Sequence, residues 1–206
     1  MAKRKLTLRE RILIALNDTF CKSVNVTFET DLRGSIISQG SQVAINSYDN
    51  DREEVKATSW FDDNYWFFIR IDVISGKKTD NIFASVSFFQ STDNGLKQLF
   101  RAEWDSYPKT NDYSHPQPHW HFTAQLSDKT SFSELNDEEE ENIYSTLAGN
   151  AKTINLDRMH FAMAGGWLSD GNMVGEVNNE DVLIDWLLYL FTHVREELKY
   201  KEREDN

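Results

Sequence analysis

Four of the five histidines, His115, His119, His121 and His160, fall within 46 residues, and all three prolines, Pro108, Pro116 and Pro118, fall within eleven. Imidazole is the side chain that changes charge near neutral pH and is also the commonest metal ligand, so a cluster of it is the first place to look for chemistry. Two His at i and i+2 on a strand point the same way and are separated by roughly 6.5–7 Å at Cα. His119 and His121 in HWHF are so placed, and both rings can then converge on one small ion.

Alternation extends the cluster. In QLFRAEWD it puts Phe100, Ala102 and Trp104 on one face of a strand and Arg101, Glu103 and Asp105 on the other. In HWHFTA it separates Trp120 and Phe122 from His119, His121 and Thr123. If the two strands pair with their apolar faces on a common core, five titratable groups become neighbours. One reading is a divalent-metal site in which Glu103, Asp105, His115 or His160 completes a two-His-plus-carboxylate or three-His set and leaves water a position.

A second reading is metal-free. One His takes a proton, the other returns it, Glu103 orients a ring and Arg101 holds a phosphate bidentately, which is the equipment for cleaving RNA or another phosphodiester. His121 to Ala124 also fits half of a two-histidine phosphoesterase motif, but Ala162 in HFAM stands where the second half requires a hydroxyl. The third reading is structural: Pro116 and Pro118 stiffen the start of a strand, and the His side chains join a polar network on a covered face. INLDRMHFAMAGGW is a lesser lead, with Asp157, Arg158 and His160 ahead of a small-residue stretch and Gly165-Gly166 suiting a turn. It lacks the lysine and spaced glycines of a phosphate loop. His193 reads as a helix-surface residue.

The elements that must position these groups are legible in outline. Thr7 can cap an N-terminal helix within 1–22, whose apolar stripe is Leu8, Ile12, Leu16 and Phe20. From 56 to 126 the chain reads as successive strands joined by polar turns such as SGKKTDN and QSTDNG, an antiparallel meander. Asn136 and Gly149 bracket a helix over 136–148 whose acidic first turn suits the macrodipole. Over 180–202, Val182, Leu183, Trp186, Leu187, Leu190, Phe191, Val194 and Leu198 form one stripe of a C-terminal helix. The expectation is a single α+β domain, 1–206, with terminal helices covering one face of the sheet.

At 206 residues with a net charge of -12, the chain is poorly suited to wrapping long nucleic acid. The first eleven residues carry Lys3, Arg4, Lys5, Arg9 and Arg11 against Glu10, a net +4, which leaves -16 on the rest. A lone Cys21 excludes an intramolecular disulfide and a cysteine zinc site and suits a reducing cytoplasm. The basic start lacks the apolar run and cleavage site of a signal peptide, and DVLIDWLLYLF is too short to span a membrane.

The series FRAEWD, HPQPHWHF, DRMHFAM and a terminal apolar helix resembles a loose group of bacterial proteins. They have an Arg-x-Glu/Asp-Tyr/Trp-Asp strand, an HPxxHxH strand and a later HxPM-like segment. TumE-like toxins of toxin–antitoxin modules are the nearest named relatives. The likeness runs over roughly 99–165 and the last helix, with Arg101, Glu103, Asp105, His115, His119 and His121 at matched positions and Ala162 where Pro would stand. It implies a small cytoplasmic α+β protein of a toxin–antitoxin or antiviral-defence system, acting on or binding a nucleic acid or nucleotide phosphodiester. The alternative is a non-enzymatic interaction subunit of a larger complex, whose acidic surface docks a basic protein partner.

Overall fold

The computed structural model describes residues 4–19, 26–31, 34–48, 51–61, 64–74, 81–105, 118–122, 161–162 and 180–204. Helix α1 spans Leu8–Thr19 and α2 spans Glu180–Glu204. Between them lie β1 (Thr27–Thr30), β2 (Ile36–Gln39), β3 (Gln42–Tyr48), β4 (Asp51–Phe61), β5 (Tyr65–Ile74), β6 (Asn81–Thr92), β7 (Gly95–Asp105), β8 (His119–Phe122) and β9 (Phe161–Ala162). The helix expected over 136–148 lies outside the described residues. No described helix is long and apolar enough to cross a membrane.

Strands β3 to β7 form an antiparallel meander that starts ahead of the expected 56–126 span and closes on itself. Five alternating strands leave the first and the last running the same way, so the closure is parallel, at Ala44 and Leu96. Two long strands use one edge twice. β5 pairs with β4 near Tyr65–Phe67 and with β2 at Arg70–Ile71, while β7 pairs with β3 at Leu96 and with β8 over Phe100–Glu103. The result is a five-strand barrel carrying the β1–β2 hairpin on one side and β8–β9 on the other.

The sheet expected over 56–126 therefore begins earlier, at Thr27. β1 to β3 escape a sequence reading because TFET and IISQ are only four residues long and QVAINSY carries polar residues on both of its faces. Of these, β3 matters for the site, because it closes the barrel against β7 beside the face that alternation left open.

Period-two alternation gives the barrel strands an outer apolar face: Phe67, Ile69, Val86, Phe88, Ala102 and Trp104 pack with Leu8, Ile12 and Leu16 of α1 and with Leu183, Leu187, Leu190 and Phe191 of α2. Val182, assigned to that stripe, is 39% exposed in the first turn of α2. The Thr7 cap forms: Thr7 N–H donates to Glu10 Oε2 at 2.8 Å and Glu10 N–H to Thr7 Oγ1 at 3.3 Å. Arg11 of α1 pairs with Glu180 at 2.7 Å and with Asp181, which fixes the two helices against each other.

The inner face is divided. Ala44, Val55, Ala57, Phe68 and Phe89 make a small apolar core at one end, and buried polar side chains occupy the other. Gly40, in the β2–β3 turn, lies so close to β4 that a Cβ there would overlap the Ala57 carbonyl and the Thr58 amide. Gly40→Ala is expected to cost about 1–3 kcal/mol, the usual penalty of overpacking. Urea unfolding checks it, and a variant within 0.5 kcal/mol of wild type would contradict this packing.

Candidate metal centre

β7 and β8 pair antiparallel with Arg101 opposite His121 and Glu103 opposite His119. Ala102 and Trp120, between them in the alternation, pack on the outer core, so the four polar residues share the inner face. A bulge sets this up. Phe88 pairs with Phe100 and Phe89 with Gln98, so Leu99 is the extra residue and both Gln98 and Arg101 turn inward.

The face is closed. His119 is fully buried, Arg101 is 3% exposed, and Glu103 and His121 are 6% exposed. Glu103 lies at the centre. Its Oε2 is 2.7 Å from His121 Nε2 and 3.4 Å from His119 Nε2, and the two Nε2 atoms are 2.8 Å apart. Its Oε1 is 2.7 Å from Arg101 Nε, a close charge pair whose N–H is not aligned as a hydrogen bond. Arg101 Nη1 donates to the Ser47 carbonyl of β3.

Linear hydrogen bonds do not account for both short contacts of His121 Nε2 at once. Each imidazole nitrogen has one in-plane site, either a proton or a lone pair, yet His121 Nε2 is within bonding distance of both a ring nitrogen and a carboxylate oxygen. One divalent ion would engage all three atoms together. Ligand atoms about 2.0–2.2 Å from a shared ion stand roughly 2.9–3.4 Å from one another, close to the separations found here. Glu103, His119 and His121 could thus hold a metal.

Of the candidate third ligands, Glu103 is the one whose side chain is described, directly across from His119. Asp105 ends β7, its backbone opposite Phe83, and its side chain lies outside the described residues, as do His115 and His160. From INLDRMHFAMAGGW only Phe161 and Ala162 are described, as β9, with Ala162 paired to His119. His193 is exposed on α2, 4.0 Å from Glu197, as expected of a helix-surface residue.

Residues not foreseen complete the surroundings. Ser87 Oγ donates to Asn46 Oδ1 at 2.6 Å, Asn46 Nδ2 to Glu53 Oε1 at 3.0 Å, and Ser47 N–H to Gln98 Oε1 at 2.7 Å. FASVSFF held part of this signal: Ser85 and Ser87 alternate with apolar residues and face Glu103 and Arg101 across the ladder.

Burial is the largest single influence on the Glu103 carboxyl and pushes its pKa upward. Hydrogen bonds from His119 and His121 and the Arg101 charge together outweigh it and hold the group well below the ordinary carboxyl value of 4.5. A folded-state pKa below the unfolded one gives stability that is fully present above about pH 4.5 and lost as pH falls toward the folded value. The stability gap between wild type and Glu103→Gln should therefore narrow as pH falls below 4.5. Thermal melts from pH 7 to 3 check this, and a gap still constant at pH 3 would contradict it.

Compared with family models, curated proteins and solved structures, the chain matches none.

Proposed function

We propose that this chain is a divalent-metal protein in which Glu103, His119 and His121 hold one ion. The ion would serve a small phosphodiester, of nucleotide size, in a bacterial toxin–antitoxin or antiviral-defence setting in the cytoplasm. The observation carrying the reading is the convergence of two imidazole nitrogens and one carboxylate oxygen within 2.7–3.4 Å of one another. Two nitrogens and one oxygen suit Zn²⁺ and other first-row ions better than Mg²⁺ or Ca²⁺, which prefer all-oxygen sets. An ion held by three protein atoms keeps positions for water and a phosphoryl oxygen, and it lowers the pKa of that water. The net charge of -12 and the enclosure of the site favour a nucleotide over a nucleic-acid polymer.

Metal analysis of protein purified without chelator, followed by Zn²⁺ and Mn²⁺ titration, tests the ion. About one equivalent is expected, and His119→Ala/His121→Ala should lose it with an unchanged circular dichroism spectrum. Failure of wild type to take up either ion would overturn the reading. Hydrolysis of bis(p-nitrophenyl) phosphate and of cyclic nucleotides by the loaded protein tests the chemistry.

The burial of all three ligand side chains also favours a second reading, in which the ion only braces the fold and the protein is a non-enzymatic subunit. Its acidic surface then docks a basic protein. Metal retained without turnover on any phosphodiester would decide for it.

A further inference from the structure

The seam that closes the barrel is thin. Among the described residues β3 and β7 share one registered pair, Ala44 with Leu96, because β8 takes over the β7 edge from Phe100. Past that pair, side chains do the work of a ladder: Gln98 Oε1 accepts the Ser47 N–H, and Arg101 Nη1 donates to the Ser47 carbonyl. Ser87 of β6 adds a bond to Asn46. Of these three latches on β3, only Arg101 also grips a candidate ligand, with Nε 2.7 Å from Glu103 Oε1 while Glu103 Oε2 faces the histidines.

We propose that Arg101 is a positioning residue that couples occupancy of the metal centre to closure of the β3–β7 seam, through the series Ser47 carbonyl, Arg101, Glu103, ion. It rests on the metal reading above. An ion drawing on Oε2 fixes the Glu103 rotamer, which leaves Oε1 in one place, and the planar guanidinium then has one orientation that also reaches Ser47. At 3% exposure Arg101 has no solvated alternative. Coupling of this kind is reciprocal: if the ion tightens the seam, the closed seam tightens the ion by the same factor. Lysine cannot substitute, since a single ammonium lacks the fork that meets both partners.

The test is amide hydrogen exchange on the full chain, with and without Zn²⁺. Global stabilisation would slow exchange alike throughout the barrel. The coupling instead predicts an additional slowing across Val43–Ser47, roughly 5–150-fold beyond that of Phe67–Ile69 on β5, the usual range for linked sites. In Arg101→Lys, Zn²⁺ should still protect β7 and β8, but the extra gain on β3 should vanish. Uniform protection in wild type, or a β3 gain that survives Arg101→Lys, would overturn the coupling while leaving the metal reading intact. Absence of any Zn²⁺ binding to wild type would overturn both. The wild-type comparison needs no variant and decides the matter even if Arg101→Lys folds poorly.

Discussion

Phe191→Ala is expected to destabilise the protein by about 3–5 kcal/mol, the range for truncating a fully buried aromatic ring. Phe191 is completely buried at the centre of α2, with its ring 5.2 Å from Trp60, 4.9 Å from Phe67 and 5.4 Å from Phe88, all edge-on. These partners come from β4, β5 and β6, so one side chain joins the helix to three strands of the barrel. Edge-to-face aromatic contacts add about 0.5–1.5 kcal/mol each beyond area burial. The void left by alanine would be walled by rigid rings on a closed barrel, which collapses poorly, and this places the cost near the upper end. Urea unfolding gives the number. A loss under 1.5 kcal/mol would mean that α2 is not anchored on the outer face as described. Because Phe191 is remote from the inner face, metal affinity of the folded variant should stay within about threefold of wild type, as expected of uncoupled sites.

That separation of faces is the part of the fold most readable in the sequence. QLFRAEWD and HWHF each encode an apolar and an ionisable side, and the barrel places Trp104 and Trp120 outward and Arg101, Glu103, His119 and His121 inward. The stripes of the two helices were readable for the same reason: burial on one side of a regular element leaves a period in the sequence. Alternation says which residues share a face, but it is silent about what covers that face. β1 to β3 carry little periodic signal, and the closing contact at Ala44 and Leu96 joins residues 52 positions apart by one parallel pair. Asn46 and Ser47 were invisible as site neighbours because closure alone brings them to this face, and Gln98 because only the bulge at Leu99 turns it inward. The placing of Glu103 across from His119 likewise needed the register, a long-range property that spacing within one strand does not contain.

The site itself makes the sharpest prediction. Glu103→Gln keeps the shape of the side chain and removes one charge, and it is expected to cost about 3–5 kcal/mol in the metal-free protein. The carboxylate is the described anion paired with Arg101, whose side chain is 4% exposed. Neutralising it removes that described countercharge from a guanidinium in the barrel interior. Most of the cost is the charge lost from beside that buried cation, so removing the cation should recover stability. Glu103→Gln/Arg101→Met is expected to be more stable than the sum of the two single losses by roughly 0.5–3 kcal/mol, the range for residues in direct contact. Metal provides the second axis. A ligand that binds only the folded state stabilises wild type by about 2.7 kcal/mol at one hundred times its Kd. Glutamine offers a neutral amide oxygen in place of the carboxylate, so Glu103→Gln should show little or no Zn²⁺-dependent rise in Tm. A variant within 1 kcal/mol of wild type that kept the full Zn²⁺ shift would remove Glu103 both as counterion and as ligand. Loss of the Zn²⁺ shift without loss of metal-free stability would keep it as ligand alone and reassign the balancing of Arg101 to the Ser47 carbonyl.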